Sequence, residues 1–187
     1  MNGRDPEAEL WSAAGAVRLA HIGRMVALGV PMRAIAEIGA EIPAFGVARV
    51  RWLPGGLYEP DEHGEPAAIV PVPAAQCELG ELGLVDLIAF SAAQPSRWSW
   101  RTGAGWLLGE YLLDEDDVAV VETPVDWLAR KADALCVLNW SASAHCWAAL
   151  RQIPCLHFQN ETLGARVMRA IREAVTLPQT RIIPNAA

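Results

Sequence analysis

The sequence predicts a mixed α/β protein built from an N-terminal helical hairpin, an antiparallel strand segment and a parallel-sheet core. Three patterns indicate this class: helix-spaced apolar residues near the N-terminus, short alternating strands in the middle, and regular strand-helix alternation in the last third. With 187 residues, 52% hydrophobic and 20% charged, the chain has a globular composition and room for one ordinary domain or a helical head on a compact body. The expected parts are a hairpin at 1–42, a strand-rich segment packed on the core at 43–100, the α/β core at 101–177 and a C-terminal tail at 178–187.

The composition and charge argue against membrane insertion and against strong nucleic-acid binding. No uninterrupted apolar stretch approaches the roughly 18 residues of a membrane span, and the polar, acidic start "MNGRDPEAEL" does not resemble a secretory signal. We therefore expect a cytoplasmic protein without a membrane partner. The formal net charge of -7, from 15 Lys+Arg against 22 Asp+Glu, opposes free-standing nucleic-acid binding, which needs basic residues to neutralise phosphates.

The first part of the chain predicts two helices. From Pro6 to Leu28 apolar residues recur at helical spacing, and Gly29 with Pro31 ends the run. A shorter helix, "MRAIAEIGAEI", follows. The pair resembles a helix-turn-helix with a glycine in the turn, but it has too few basic residues for a recognition helix, so we expect a plain helical hairpin.

The middle of the chain predicts short strands. "GVARVRWL" alternates in polarity, and "LYEPDEHGEPAAIVPVP" carries a turn at 61–64 before an apolar strand, which indicates two antiparallel strands. "LVDLIAF" is a third strand. The next segment, "PSRWSWRTGAGWLLGEYLL", is interpreted as a tryptophan-rich loop leading into another strand. Trp98, Trp100 and Trp106 in this loop are candidates for contact with a protein partner, because aromatic residues are enriched in interface centres; alternatively, they cover a small core.

The last third alternates strands with helices, in the order "DVAVVE", "PVDWLARKA", "ALCVLNW", "SASAHCWAALRQ", "PCLHF" and "LGARVMRAIREAV". Short links between them predict a parallel sheet with helical crossovers. Ligands of such sheets bind beyond the carboxyl ends of the strands. Here those ends carry Glu122, Asn139-Trp140 and residues 159–161.

The order of "GAGWLLGE", "VAVVETPVDWL", "ALCVLNWSAS" and "IPCLHFQNETLGARVMRAI" resembles the toprim domain of phage and plasmid primases, over roughly residues 100 to 173. The resemblance implies that Glu122 stands at the position of the general acid/base and that Asp126 matches the acid after it. It also places Gln159 and Glu161 at the two metal-binding positions. In such a site two carboxylates hold Mg²⁺ while the glutamate moves a proton in phosphoryl transfer.

The chain departs from that pattern at important positions. Thr123 replaces a glycine, and Gln159 removes one of the two charges that a hard cation such as Mg²⁺ favours. The resemblance therefore implies a degenerate toprim-like protein of a phage or plasmid replication system, with a binding or scaffolding role, impaired or absent catalysis, and no cofactor or weakly bound Mg²⁺.

Three alternatives stay open. The first is an active Mg²⁺-dependent phosphoryl-transfer enzyme of primase or nuclease type, in which Glu122, Asp126 and Glu161 hold the metal. The second is a protein-interaction module without an active site. The third concerns the acids alone: Pro124 and Asp126 are typical of a first helical turn, where an acid complements the helix dipole.

Two further groups of residues are candidates for binding. Arg166, Arg169 and Arg172 recur at helical spacing and form either a nucleic-acid-binding face or a solvated helix face. Four cysteines are expected to be reduced and buried in the core. The pairs His145-Cys146 and Cys155-x-His157 have poor spacing for a zinc site: adjacent ligands such as His145 and Cys146 point apart on most backbones, and no CxxC pair occurs. The four cysteines are Cys77, Cys136, Cys146 and Cys155.

Overall fold

A computed structural model describes residues 5–74 and 83–174, so Cys77 and the tail predicted at 178–187 lie outside the described residues. The described chain is mixed α/β, with two sheets and six α-helices. None of these helices has the length and apolar character needed to cross a membrane. The helices are α1 (Pro6–Gly15), α2 (Leu19–Ala27), α3 (Met32–Ile38), α4 (Pro124–Ala129), α5 (Ala144–Leu150) and α6 (Glu161–Glu173). The strands are β1 (Gly46–Leu53), β2 (Leu57–Pro60), β3 (Glu65–Pro73), β4 (Leu84–Phe90), β5 (Trp98–Trp100), β6 (Leu107–Leu108), β7 (Asp117–Val121), β8 (Leu135–Val137) and β9 (Cys155–Phe158).

The first sheet is a closed barrel with the strand order β1-β2-β5-β4-β3. β1 pairs antiparallel with both β2 and β3, so the predicted antiparallel strands are confirmed. Closure depends on a parallel contact between Leu57 of β2 and Trp100 of β5. Alternate residues point inward, as the two-residue period of a strand requires. The inner cluster contains Leu10, Ala13, Val50, Tyr58, Ala67, Ile69, Leu87 and Ala89.

The N-terminal region contains three helices, so the prediction of a two-helix hairpin is wrong. The first predicted helix divides because Arg18 is extended, with φ -129° and ψ 164°. α1 places Leu10 and Ala13 in the barrel cluster, whereas α2 and α3 bury Met25 and Ala34 in a different cluster. A single straight helix could not direct its one apolar stripe at both clusters. The bend between α1 and α2 allows each helix to pack on its own cluster.

The second sheet has the order β6-β8-β7-β9, with β7 parallel to both β8 and β9. The predicted strand-helix alternation is therefore confirmed, although β6 pairs antiparallel with β8. β8 lies between β6 and β7 in the sheet, and the segment that joins β6 to β7 contains only a 3-10 turn at Glu110–Leu112.

Separate clusters cover the two faces of the second sheet. Val118 and Val120 of β7 pack with α5 and α6 on one face. On the other face, Val121 packs with α4, with the N-terminal helices and with the outer side of the barrel. This second cluster joins the barrel to the α/β part. β9 is an edge strand, and its residues Cys155 and His157 are exposed.

Candidate functional site: the carboxyl ends of the second sheet

The predicted meeting of strand ends occurs at Glu122, Gln159 and Asn160, which we call the strand-end cluster. β7 and β9 run parallel and in register up to Val120 and Phe158, so the residues that follow them lie side by side. The backbone N–H of Glu122 donates to Oε1 of Gln159 at 2.9 Å. The amide Nδ2 of Asn160 donates to the Glu122 carboxylate at 3.2 Å.

Local structure fixes the orientation of both amides. Asn160 is the N-cap of α6, and its Oδ1 accepts from the backbone N–H of Leu163 at 2.8 Å. This contact turns the Nδ2 group toward Glu122. The side-chain oxygen of Gln159 likewise accepts the hydrogen bond from the Glu122 backbone N–H. The side chains beside the carboxylate are therefore neutral hydrogen-bonding groups with no charge to contribute to a cation.

Gly164, in the first turn of α6, has a packing role in this fold. A Cβ at this position would lie 3.0 Å from the ring of Phe158. The glycine allows α6 to rest directly on β9, behind the strand-end cluster.

Asp126 caps its own helix. Its carboxylate accepts from the Thr123 hydroxyl at 2.6 Å and from the Thr123 backbone N–H at 3.2 Å. The Asp126 N–H in turn donates to the Thr123 hydroxyl at 3.2 Å. This is a reciprocal capping box, with Pro124 in the first turn of α4. The alternative in which Asp126 belongs to a helix start is confirmed. The role of Thr123 as the N-cap was not predicted, although a threonine three residues before an acid is typical of a capping box.

Glu161 begins α6 and is exposed. It does not complete a metal site with the other acids. In residues 5–74 and 83–174, one group of at least three His, Cys, Asp or Glu side chains has ligand atoms within 4.8 Å of one another, and that group contains none of Glu122, Asp126 and Glu161. The structure thus brings Gln159 to Glu122 but does not bring Glu122, Asp126 and Glu161 together as one ligand group.

The arginines of α6 lie beside the end of β8. The Arg166 guanidinium stacks 3.5 Å from the ring centroid of Trp140, and Trp140 contacts Trp147 with a centroid distance of 5.8 Å. Arg166, Arg169 and Arg172 are all exposed. Within the part of the chain that the structure describes, none of the three forms an ion pair.

The segment predicted as a tryptophan-rich loop leading into a strand contains a short strand of its own, and its three tryptophans pack against the core, as in the alternative interpretation. Trp98 and Trp100 form β5 and, like Trp106, are half-buried. The Trp100 indole donates to the carbonyl of Gly105 at 2.9 Å, and the Trp106 indole donates to Glu110 at 3.1 Å. These contacts hold the barrel and its exit segment. Trp11 on α1 is the most exposed tryptophan, at 56%.

The cysteines have different environments. Cys136 on β8 is buried, as predicted, and burial, with smaller contributions from the carboxylates of Asp126 and Glu122, raises the pKa of its thiol. Both burial and the raised pKa favour the protonated thiol and disfavour a role of Cys136 as a nucleophile. Cys146 is half-buried. Cys155 is exposed, so the expectation that it belongs to the core is wrong.

The strand-end cluster can accept hydrogen bonds through a single carboxylate and donate them through a neighbouring amide. It has the position of a ligand site in an α/β sheet but not the paired carboxylates of a Mg²⁺ site. Comparison of the chain with protein-family models, with curated proteins and with solved structures finds no match.

Proposed function

We propose that the chain is a toprim-like protein without phosphoryl-transfer activity, which has a binding or scaffolding role in the replication of a phage or plasmid. One observation carries the loss of activity: amides of Gln159 and Asn160 surround Glu122 where a second metal-binding carboxylate would be needed. The order β7-α4-β8-α5-β9-α6 supports the family assignment, because it places Glu122 and Gln159 at adjacent strand ends.

The chemical reason is the preference of Mg²⁺ for anionic oxygen ligands in octahedral geometry. Glu122 supplies one carboxylate, while Asp126 is engaged by its capping contacts with Thr123. A neutral amide adds little attraction for a hard cation. Without a firmly held metal, the developing charge of a transferred phosphoryl group is not stabilised.

The test restores the missing charge without changing side-chain shape. Gln159→Glu keeps an oxygen positioned to accept from the Glu122 N–H and adds a carboxylate beside Glu122. We expect the wild-type chain to show no Mg²⁺ binding at millimolar concentration by calorimetry, and Gln159→Glu to bind Mg²⁺ measurably. The matched control is Gln152→Glu, an exposed glutamine after α5, which should leave the affinity unchanged.

A different outcome would favour the active-enzyme alternative. If the wild-type chain binds Mg²⁺ in the micromolar range and Glu122→Gln abolishes that binding together with primer synthesis or nuclease activity, the proposal is wrong. In nucleotidyl-transfer and nuclease assays, we expect the wild-type chain to show no more activity than the Glu122→Gln variant.

For the binding role, α6 provides the best candidate surface for nucleic acid. Arg169 and Arg172 are exposed and free of ion pairs in the described ranges, and the stacked pair of Arg166 and Trp140 lies on the same helix side of the sheet. Arginine and aromatic groups are the usual partners of phosphates and unstacked bases. The overall charge of -7 limits such binding to a local, salt-sensitive contact.

Neutralisation of the two free arginines tests this surface. The double variant Arg169→Gln, Arg172→Gln should weaken binding of a single-stranded oligonucleotide and reduce the slope of log K against log salt by about 0.7 per lost phosphate contact. Arg24→Gln on the exposed side of α2 is the control. Equal weakening by the control, or no salt-dependent binding by the wild type, would identify α6 as only a solvated face.

A further inference from the structure

A second cluster of chemically reactive side chains lies at the other end of the second sheet. Asp117 begins β7 and Cys155 begins β9, and the parallel register pairs these two residues directly. His157 Nε2 lies 2.7 Å from Oδ1 of Asp117 and 3.4 Å from Sγ of Cys155. The three ligand atoms all lie within 4.8 Å of one another. The strand-end cluster lies beyond the opposite ends of the same strands.

The strand period explains why these side chains converge. Cys155 and His157 are two residues apart, so both project from the same face of β9. Their neighbours Leu156 and Phe158 project from the other face, where they pack with α5 and α6. All three members of the cluster are exposed. The sequence alone does not associate Asp117 with Cys155, because the two residues are far apart along the chain. Only the pairing of β7 with β9 brings them together.

We propose that Asp117, Cys155 and His157 form a binding site for Zn²⁺ or a similar borderline divalent transition metal. Imidazole nitrogen, thiolate sulfur and carboxylate oxygen are the three ligand types that Zn²⁺ uses in proteins. Bond lengths of about 2.0–2.3 Å in a tetrahedral Zn²⁺ site place ligand atoms roughly 3 to 4 Å apart. The Cys155–His157 separation of 3.4 Å already falls in this range, and the exposed Asp117 carboxylate needs only a small rotation to join it.

The geometry distinguishes a metal site from a catalytic cysteine triad. In a triad the acid holds one ring nitrogen of the histidine while the nucleophile contacts the other. Here the carboxylate and the sulfur both approach the same nitrogen, Nε2. The acid therefore cannot orient His157 toward Cys155 as a general base. Convergence of three different donors on one point is what a shared cation requires.

The surroundings permit entry of an ion and leave one coordination position open. A surface recess of about 670 Å³ reaches Asp117 and His157. Glu115 and Asp133 line the recess and favour cations, while Arg130 opposes them. Three protein ligands leave the fourth tetrahedral position for water or another small ligand, which is the arrangement of open zinc sites.

Metal titration of the full chain tests the proposal. Protein treated with a chelator and kept reduced is titrated with Zn²⁺ in competition with a metal indicator, and Co²⁺ is used to observe a thiolate-to-cobalt absorption band. We expect one ion per chain in the cluster. Each of Cys155→Ser, His157→Gln and Asp117→Asn should weaken binding by more than the roughly 10- to 100-fold that loss of an outer-shell partner causes.

The chain contains a matched control, the neighbouring pair His145 and Cys146, which lies outside the cluster. His145→Gln and Cys146→Ser should leave Zn²⁺ affinity and the cobalt band unchanged. Loss of the cobalt band in Cys146→Ser, or its retention in Cys155→Ser, would overturn the proposal, as would the absence of Zn²⁺ binding by the wild type. Because Gln159→Glu acts at the opposite ends of the strands, the two proposals can fail separately.

Discussion

Asp86 shows how a single residue organises the exit from the barrel. Its side chain is fully buried, at 0% exposure. The carboxylate accepts backbone N–H groups of Leu87 at 2.8 Å, Thr102 at 3.0 Å, Gly103 at 2.9 Å and Gly105 at 3.1 Å. A buried carboxylate is tolerated only with such partners. Asp86 therefore anchors the segment that leads from β5 to the second sheet.

Asp86→Asn should destabilise the protein by about 3 kcal/mol, because one oxygen becomes an amide donor that faces backbone donors and leaves buried N–H groups unsatisfied. Urea denaturation measures the change. Asp114→Asn, at an exposed position in the loop before β7, serves as the control and should change stability by less than about 0.5 kcal/mol. Equal effects of the two substitutions would show that the Asp86 contacts contribute nothing.

Thr123 provides a second prediction at the residue scale. Thr123→Ala removes the hydroxyl that accepts from Asp126 N–H and donates to its carboxylate. Loss of an N-cap costs about 1 kcal/mol. Thr123→Ser keeps the hydroxyl and should retain most of the stability in thermal or urea unfolding. If alanine and serine behave alike, the capping contacts do not stabilise α4.

The strand-end cluster shows what sequence can predict of a site. Adjacent strand ends follow from strand-helix alternation, so the meeting of Glu122 with Gln159 and Asn160 was predictable. The capping function of Asp126 was open as an alternative. The cluster of Cys155, His157 and Asp117 was not predictable, because the sequence does not show which strand pairs with β9 and so does not bring Asp117 to the other two residues.

Among the elements, the strands and helices of the last two thirds follow the periodicity of the sequence, but their closure into a barrel does not. Local alternation in β2 and β5 contains no signal for the parallel contact between Leu57 and Trp100. The division of the N-terminal helix has the same cause. Helical spacing continues across Arg18, while tertiary packing of α1 and α2 on different clusters breaks the helix there.

The docking of α1 depends on one glycine of β1. A Cβ at Gly46 would lie 2.5 Å from the Cβ of Ala13 and 2.8 Å from its carbonyl carbon. Gly46→Ala should therefore push α1 off the barrel and destabilise the protein by about 1–3 kcal/mol.

Gly23→Ala is the matched control for that substitution. Gly23 lies inside α2, and a Cβ there meets no atom within 4 Å. Alanine should stabilise the helix by about 0.5–1 kcal/mol. Chemical denaturation should thus show opposite signs for the same substitution at the two sites. Stabilisation by Gly46→Ala would contradict the close approach of α1 to β1.

At the scale of the whole molecule, one hydrogen-bond network connects the N-terminal helix to the barrel. Glu9 on α1 accepts from the Tyr58 hydroxyl at 3.1 Å and from Arg101 Nε at 2.8 Å. Tyr58 is buried inside the barrel, and Arg101 follows β5. Three segments distant in sequence therefore meet at one carboxylate, and the protonation of Tyr58 becomes part of the stability of the fold.

The two tyrosines of the chain, Tyr58 and Tyr111, predict a loss of stability in alkali. Burial, with the neighbouring Glu9 carboxylate second, raises the pKa of Tyr58 well above its ordinary value, and burial raises the pKa of Tyr111 to about 12. A raised folded-state pKa means that the unfolded chain loses its protons first. The stabilisation is therefore complete below pH of about 10 and decreases as pH rises above it, by up to about 1.4 kcal/mol per pH unit for Tyr58.

Urea denaturation between neutral and alkaline pH, with tyrosinate absorbance as a second signal, measures this decrease. Tyr58→Phe should be less stable at neutral pH but should lose less stability in alkali than the wild type, and an unchanged alkaline slope would show that Tyr58 ionises as easily in the folded protein as in the unfolded chain.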